Sequence, residues 1–86
     1  MKSLEVKLDM PHGMHARPAT VFVKEAGKFQ SEITLTCDGT SVNGKSIMGL
    51  LMLALGPGSL VTVSAAGPDE EKALESLREV LLGKLT

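Results

Sequence analysis

Residues 13–20, Gly-Met-His-Ala-Arg-Pro-Ala-Thr, set an imidazole, a guanidinium and a proline within four positions. His15 carries a ring nitrogen that is partly neutral near pH 7 and can act as a nucleophile. Arg17 is a permanent cation whose donor fork suits the oxygens of a phosphate or carboxylate. A nucleophilic ring and a permanent cation this close together make sense around an anion. Pro18 forfeits no hydrogen bond in the first turn of a helix, so the stretch predicts a helix start beside His15. The leading amides of such a helix lack internal partners and carry partial positive charge, which makes them an anion site. Gly13 is expected to let a partner approach closely. Placed around a phosphoryl group, these pieces supply a nucleophile and donors for the oxygens, with a reversible phosphohistidine as the simplest product. From spacing alone the plainer reading stands ahead: an exposed capping histidine beside a solvated arginine, since short motifs recur by chance.

The elements that must position these residues follow from periodicity. Leu4, Val6 and Leu8 alternate with Glu5, Lys7 and Asp9, which predicts a strand with one buried face. From Ala16 the period changes, and Ala19, Phe22, Val23 and Ala26 recur at helical spacing up to a stop at Gly27. Ile33, Leu35 and Cys37 alternate with Glu32, Thr34 and Thr36; Asp38-Gly39 then turns the chain into a return segment around Val42, a hairpin. Ser46 stands where it would cap a short helix through Ile47, Met48, Leu50, Leu51, Met52 and Leu53, closed by Gly56, Pro57 and Gly58. Leu60 to Ala65 reads as a strand. Pro68, Asp69, Glu70 and Glu71 open a last helix with Ala73, Leu74, Leu77, Val80 and Leu81 as its buried stripe and Lys84 near its end. The order β-α-β-β-α-β-α, with one apolar face per strand, predicts an α+β open-faced sandwich: a four-stranded, largely antiparallel sheet with three helices on one face, forming a single domain over residues 1–86.

Composition narrows the function classes. The 86 residues hold nine Lys and Arg against ten Asp and Glu, a net charge of −1, and only two aromatics, Phe22 and Phe29. Such a balance has no basic excess for a phosphate backbone and no platform for stacking bases, so nucleic acid is not an expected partner. The single cysteine, Cys37, excludes an internal disulfide and is expected as a small core residue in a reducing, cytoplasmic setting. The apolar run Ile47 to Gly56 is too short to cross a bilayer. His12, three residues before His15, makes a weak metal pair and is expected as a solvated loop residue; no metal or cofactor site is expected. No acid-base pair or nucleophile triad accompanies His15, which argues against a stand-alone enzyme.

The stretch at residues 13–20, the Lys-Ser-Ile-Met-Gly-Leu-Leu-Met-Leu run at Lys45 to Leu53 and the order of elements together resemble the HPr family, the histidine-containing phosphocarriers of the bacterial phosphoenolpyruvate-dependent sugar phosphotransferase system. The likeness spans essentially the whole chain and rests on two separate motifs at the family's spacing. It implies that His15 accepts the phosphoryl group through Nδ1 from the phosphoenolpyruvate-dependent first enzyme, that Arg17 stabilises it, and that it passes to sugar-specific carrier domains, with the chain a monomer. It implies regulatory phosphorylation at Ser46 by an HPr kinase/phosphorylase, and with it a catabolite-control regulator as a further partner. Methionines usually mean core; the resemblance instead puts Ile47, Met48 and Leu51 with Thr20 in an exposed docking patch. An alternative is a regulatory or nitrogen-branch relative that acts mainly in signalling, although relatives that only signal lack the histidine. Ala54 departs from the family, where many members carry glycine.

Overall fold

The structure, a computed structural model, describes residues 1–9 and 13–84; His12 lies outside them. The elements are β1 (Lys2–Lys7), α1 (Ala16–Ala26), β2 (Glu32–Cys37), β3 (Thr40–Asn43), α2 (Ile47–Met52), β4 (Leu60–Ala66) and α3 (Glu70–Leu81), the expected order. The sheet runs β1-β4-β2-β3 with every neighbouring pair antiparallel. Val63 lies opposite Leu4 on one side and Leu35 on the other, so the apolar positions of three strands meet in one row. Val6, Ile33, Leu35, Val61, Val63 and Ala65 are buried on that face. The opposite face carries Glu5, Thr62, Thr36 and Ser41 in register, and it stays polar.

The helices cover the apolar face. Their buried stripes are Pro18, Ala19, Phe22 and Ala26 on α1 and Ala73, Leu74, Leu77, Val80 and Leu81 on α3. Phe22 is fully enclosed, which is worth about 2–3 kcal/mol in transfer free energy. The hairpin between β2 and β3 turns on Asp38 (φ 51°) and Gly39 (φ 80°), the two positive φ values that a two-residue turn of this hand requires. Cys37 ends β2 half-buried against the core; burial, then the neighbouring Asp38, pushes its thiol up from the ordinary 9.0.

Two local details depart from the sequence reading. α2 stops at Met52 with Leu53 as its C-cap, ahead of the Gly56-Pro57-Gly58 run expected to close it. Ala54, at φ 51°, makes the stop in the left-handed region, where an L side chain costs about 1–2 kcal/mol and glycine nothing. Asp69 occupies the N-cap of α3 but makes no capping bond with its side chain. Its carboxylate instead accepts from the Ser31 hydroxyl at 2.6 Å and from the amides of Gln30 and Ser31 at 2.9 and 3.0 Å. These donors, the Ser31 hydroxyl foremost, hold the carboxyl below its ordinary 3.8. The turn before α3 is thereby fastened to the turn after α1.

Candidate functional site around His15

His15 is the N-cap residue of α1, in extended backbone at φ −117° and ψ −168°. Its carbonyl accepts the first helical hydrogen bond, from the Ala19 amide at 2.9 Å. Pro18 precedes that bond and so costs the helix nothing, as expected. It also narrows the anion site: Pro18 has no N–H and the Ala19 amide is occupied, which leaves the amides of Ala16 and Arg17 turned out of the first turn. His15, Ala16 and Arg17 are all exposed. Among the described residues Arg17 joins no ion pair. Imidazole, two amides and a guanidinium thus share one helix end that opens to solvent. A tetrahedral dianion held there would meet donors from the backbone and from a charged side chain.

The chain leading into this cap is fixed from behind. Gly13 is buried at φ +71°, and a Cβ on it would stand 2.4 Å from the Leu55 carbonyl oxygen. The Met14 amide donates to that same oxygen at 2.9 Å, and the Met14 side chain is buried in the core. The expectation that Gly13 admits a partner is therefore corrected: what comes close is the chain's own backbone after α2. That contact fixes where His15 leaves the core. Leu8 continues the frame beyond β1, its amide donating to the Ser59 carbonyl at 2.8 Å and its carbonyl accepting from Gly58 at 3.0 Å.

α2 packs beside α1 and presents a second group of predicted residues. Ser46 caps it, the hydroxyl oxygen accepting from the Gly49 amide at 3.1 Å. Leu50 is fully buried, and Ile47, Met48, Leu51 and Met52 remain exposed on the outward side. The residue-type expectation that methionines mean core is corrected for Met48 and Met52, 69% and 78% exposed. A helix of six residues has one inward side, and Leu50 fills it. Thr20, half-buried, donates its hydroxyl to the Ala16 carbonyl at 2.8 Å, so it belongs to the first turns of α1. The motif reading did not foresee Leu55, whose carbonyl joins the two helical regions, and no local signal marks it, since the contact is made by backbone atoms.

The chain matches the family model described as the PTS HPr component phosphorylation site over residues 2–82. Phosphocarrier protein HPr of Buchnera aphidicola subsp. Acyrthosiphon pisum is 52% identical over 77 residues, covering 90% of this chain and 91% of that protein. HPr-like protein Crh of Halalkalibacterium halodurans is 53% identical over 76 residues, covering 88% of each. Among solved structures, an HPr from Thermoanaerobacter tengcongensis superposes with a TM-score of 0.93 at 41% identity, covering 99% of this chain and 96% of that one. A second structure from that organism, described as an HPr dimer, has a TM-score of 0.78 at 41% identity and covers 100% and 99%. Among the described residues no helix is long and apolar enough to cross a membrane.

Proposed function

The chain belongs to the HPr family of phosphotransferase-system phosphocarriers, and we propose that the residue which carries the phosphoryl group is His15. The observation that carries this reading is the placement of His15 as the exposed N-cap of an eleven-residue helix, with Arg17 in its first turn. The donor is the phosphohistidine of the phosphoenolpyruvate-dependent first enzyme. His15 Nδ1 attacks phosphorus, the bond to the donor imidazole breaks, and that imidazole leaves with the electron pair. The Arg17 guanidinium and the amides of Ala16 and Arg17 stabilise the charge on the equatorial oxygens. Transfer onward to a sugar-specific carrier domain repeats the step with His15 as leaving group. The chain works as a single-domain monomer in the cytoplasm, bound by neither cofactor nor metal.

Docking uses Thr20 and the outward side of α2, Ile47, Met48 and Leu51. Three such side chains, 36–69% exposed on α2, offer a deformable apolar surface to partners of different shape. Ser46 is the regulatory site, phosphorylated by an HPr kinase/phosphorylase and read by a catabolite-control regulator. Its phosphate adds up to about two negative charges at the edge of that surface.

The test uses the parent chain and His15→Ala with phosphoenolpyruvate and a first enzyme. A phosphoramidate is labile in acid and stable in alkali, whereas a phosphoserine survives acid. The parent is expected to take up acid-labile phosphate and His15→Ala none; uptake by the variant overturns the assignment. The likeness to an HPr-like Crh protein supports a second reading, a regulatory member. It requires a parent that accepts little phosphate from the first enzyme while Ser46 is still phosphorylated by its kinase.

A further inference from the structure

Among the described residues, the outward side of α2 carries the most accessible oxidisable side chains outside the N-terminal residue. The sequence has five methionines and no Tyr or Trp. Met14 is buried at 6%, next to His15, while Met48 and Met52 are 69% and 78% exposed. These two lie one helical turn apart on α2, flanked by Ile47 and Leu51. Cys37, the one thiol, sits half-buried at the end of a strand with its thiol pushed up, so little of it is the reactive thiolate. Beyond the N-terminal methionine, the accessible sulfur of the described residues is therefore gathered where partners are to dock.

We propose that Met48 and Met52 form a reversible oxidation site that governs docking, an inference that rests on the carrier reading above. The oxidant is a peroxide or a hypohalous acid. With hydrogen peroxide, a sulfur lone pair attacks one oxygen, the O–O bond breaks, an S–O bond forms, and the leaving hydroxide takes up a proton as water. Each methionine loses two electrons and becomes a sulfoxide, and each peroxide is reduced. A thiol-dependent sulfoxide reductase reverses the change, releasing the oxygen as water as two thiols join in a disulfide. The consequence is local. A flexible apolar thioether becomes a strong hydrogen-bond acceptor, and docking then buries a polar group against an apolar partner face. The fold is spared, because neither side chain belongs to the core. His15 and Arg17 keep their geometry, because Gly13 and Met14 hold the cap from the other side.

The experiment treats the purified chain with limiting hydrogen peroxide, removes the peroxide with catalase, and locates sulfoxides by peptide mass spectrometry. The rate of phosphate uptake from a first enzyme is then compared before and after treatment. The expected result is sulfoxide at Met48 and Met52 with Met14 intact, an unchanged melting curve and uptake slower by about tenfold. Sulfoxide reductases should restore the rate. The double variant Met48→Leu/Met52→Leu removes the sulfurs but keeps the patch apolar. Read against its own untreated rate, it should lose about twofold or less after the same treatment. Unchanged uptake by a parent oxidised at both positions overturns the proposal, as does an equal loss in the double variant. A separate outcome, an untreated parent that takes up no phosphate, defeats the carrier reading and this inference with it.

Discussion

His15 and Ser46 occupy the same station on two neighbouring helices and use it in opposite ways. Both are N-cap residues in extended backbone, at φ −117° and −118°. Ser46 turns its side chain inward on its own helix, the hydroxyl accepting from Gly49 at 3.1 Å. The His15 side chain makes no capping hydrogen bond, and its helix is started instead by its carbonyl and by Pro18. A cap made by the side chain stabilises the helix and ties up the side chain. A cap made by the backbone asks no capping bond of the ring, and the helix end keeps its leading amides. Gly13 and Met14 compensate, since their contacts with Leu55 hold the entry to α1 in place of a capping bond.

The sharpest way to break this contrast is at Arg17. Arg17→Ala should slow phosphate uptake by about a hundredfold, the size expected for loss of one charge-stabilising donor, with melting within a degree or so of the parent because the side chain is exposed. Equal uptake rates would leave the cap with no specialised role. Next comes Ser46→Asp, which places a charge beside the exposed apolar side of α2 proposed for docking. Uptake should fall by about fivefold at low salt, and the gap should narrow at high salt as exposed charges are screened. A gap that persists undiminished at high salt would mean that the substitution acts through shape and not charge. Stability separates the caps from the other direction. Ser46→Ala should cost ~1 kcal/mol and lower the melting temperature by about 4–8 °C, whereas His15→Ala, which removes no capping bond, should lower it by less. The smallest effect is expected at Ala54→Gly, which relieves left-handed strain but adds chain entropy to the unfolded state, for a net gain of ~0.5 kcal/mol in a denaturant titration.

The scaffold was legible because its signals are local. Leu4, Val6 and the Ile33-Leu35 pair alternate with polar residues, α1 and α3 repeat at helical spacing, and Asp38-Gly39 admits few turns other than the one observed. The place of His15 and Arg17 at a helix start was legible for the same reason: the proline that marks the start lies in the same short stretch. What escaped depends on residues far apart in sequence. Asp69 was read as an acidic helix start, but its oxygens face Gln30 and Ser31, donors that no pattern around residue 69 announces. Gly13 was read as open because the backbone of Leu55 that fills its missing side chain lies forty-two positions on. The exposure of Met48 and Met52 follows from how little of α2 faces inward, a property of the packed helices and not of the residue types. Ala54 hid its conformation because nothing about an alanine signals positive φ.

The place of β4 in the sheet has a consequence for how the protein comes into being on the ribosome. β4 is the penultimate element of the chain and the middle of the structure, pairing with both β1 and β2, so that Lys2 finds its partner only at Ala65. Until Leu60 and its successors emerge, β1 has no partner strand, and the β2–β3 hairpin waits with the edge of β2 open. The closure is long-range and is resolved in one cooperative event, after nearly the whole chain has been synthesised. His15 is thus made early and organised late: the Leu55 carbonyl and the Ser59 contact that frame its loop do not yet exist when it leaves the exit tunnel. A nascent or truncated chain ending before β4 carries His15 without its frame, so the phosphate-carrying role proposed for His15 requires that uptake arise together with the complete fold and not before it.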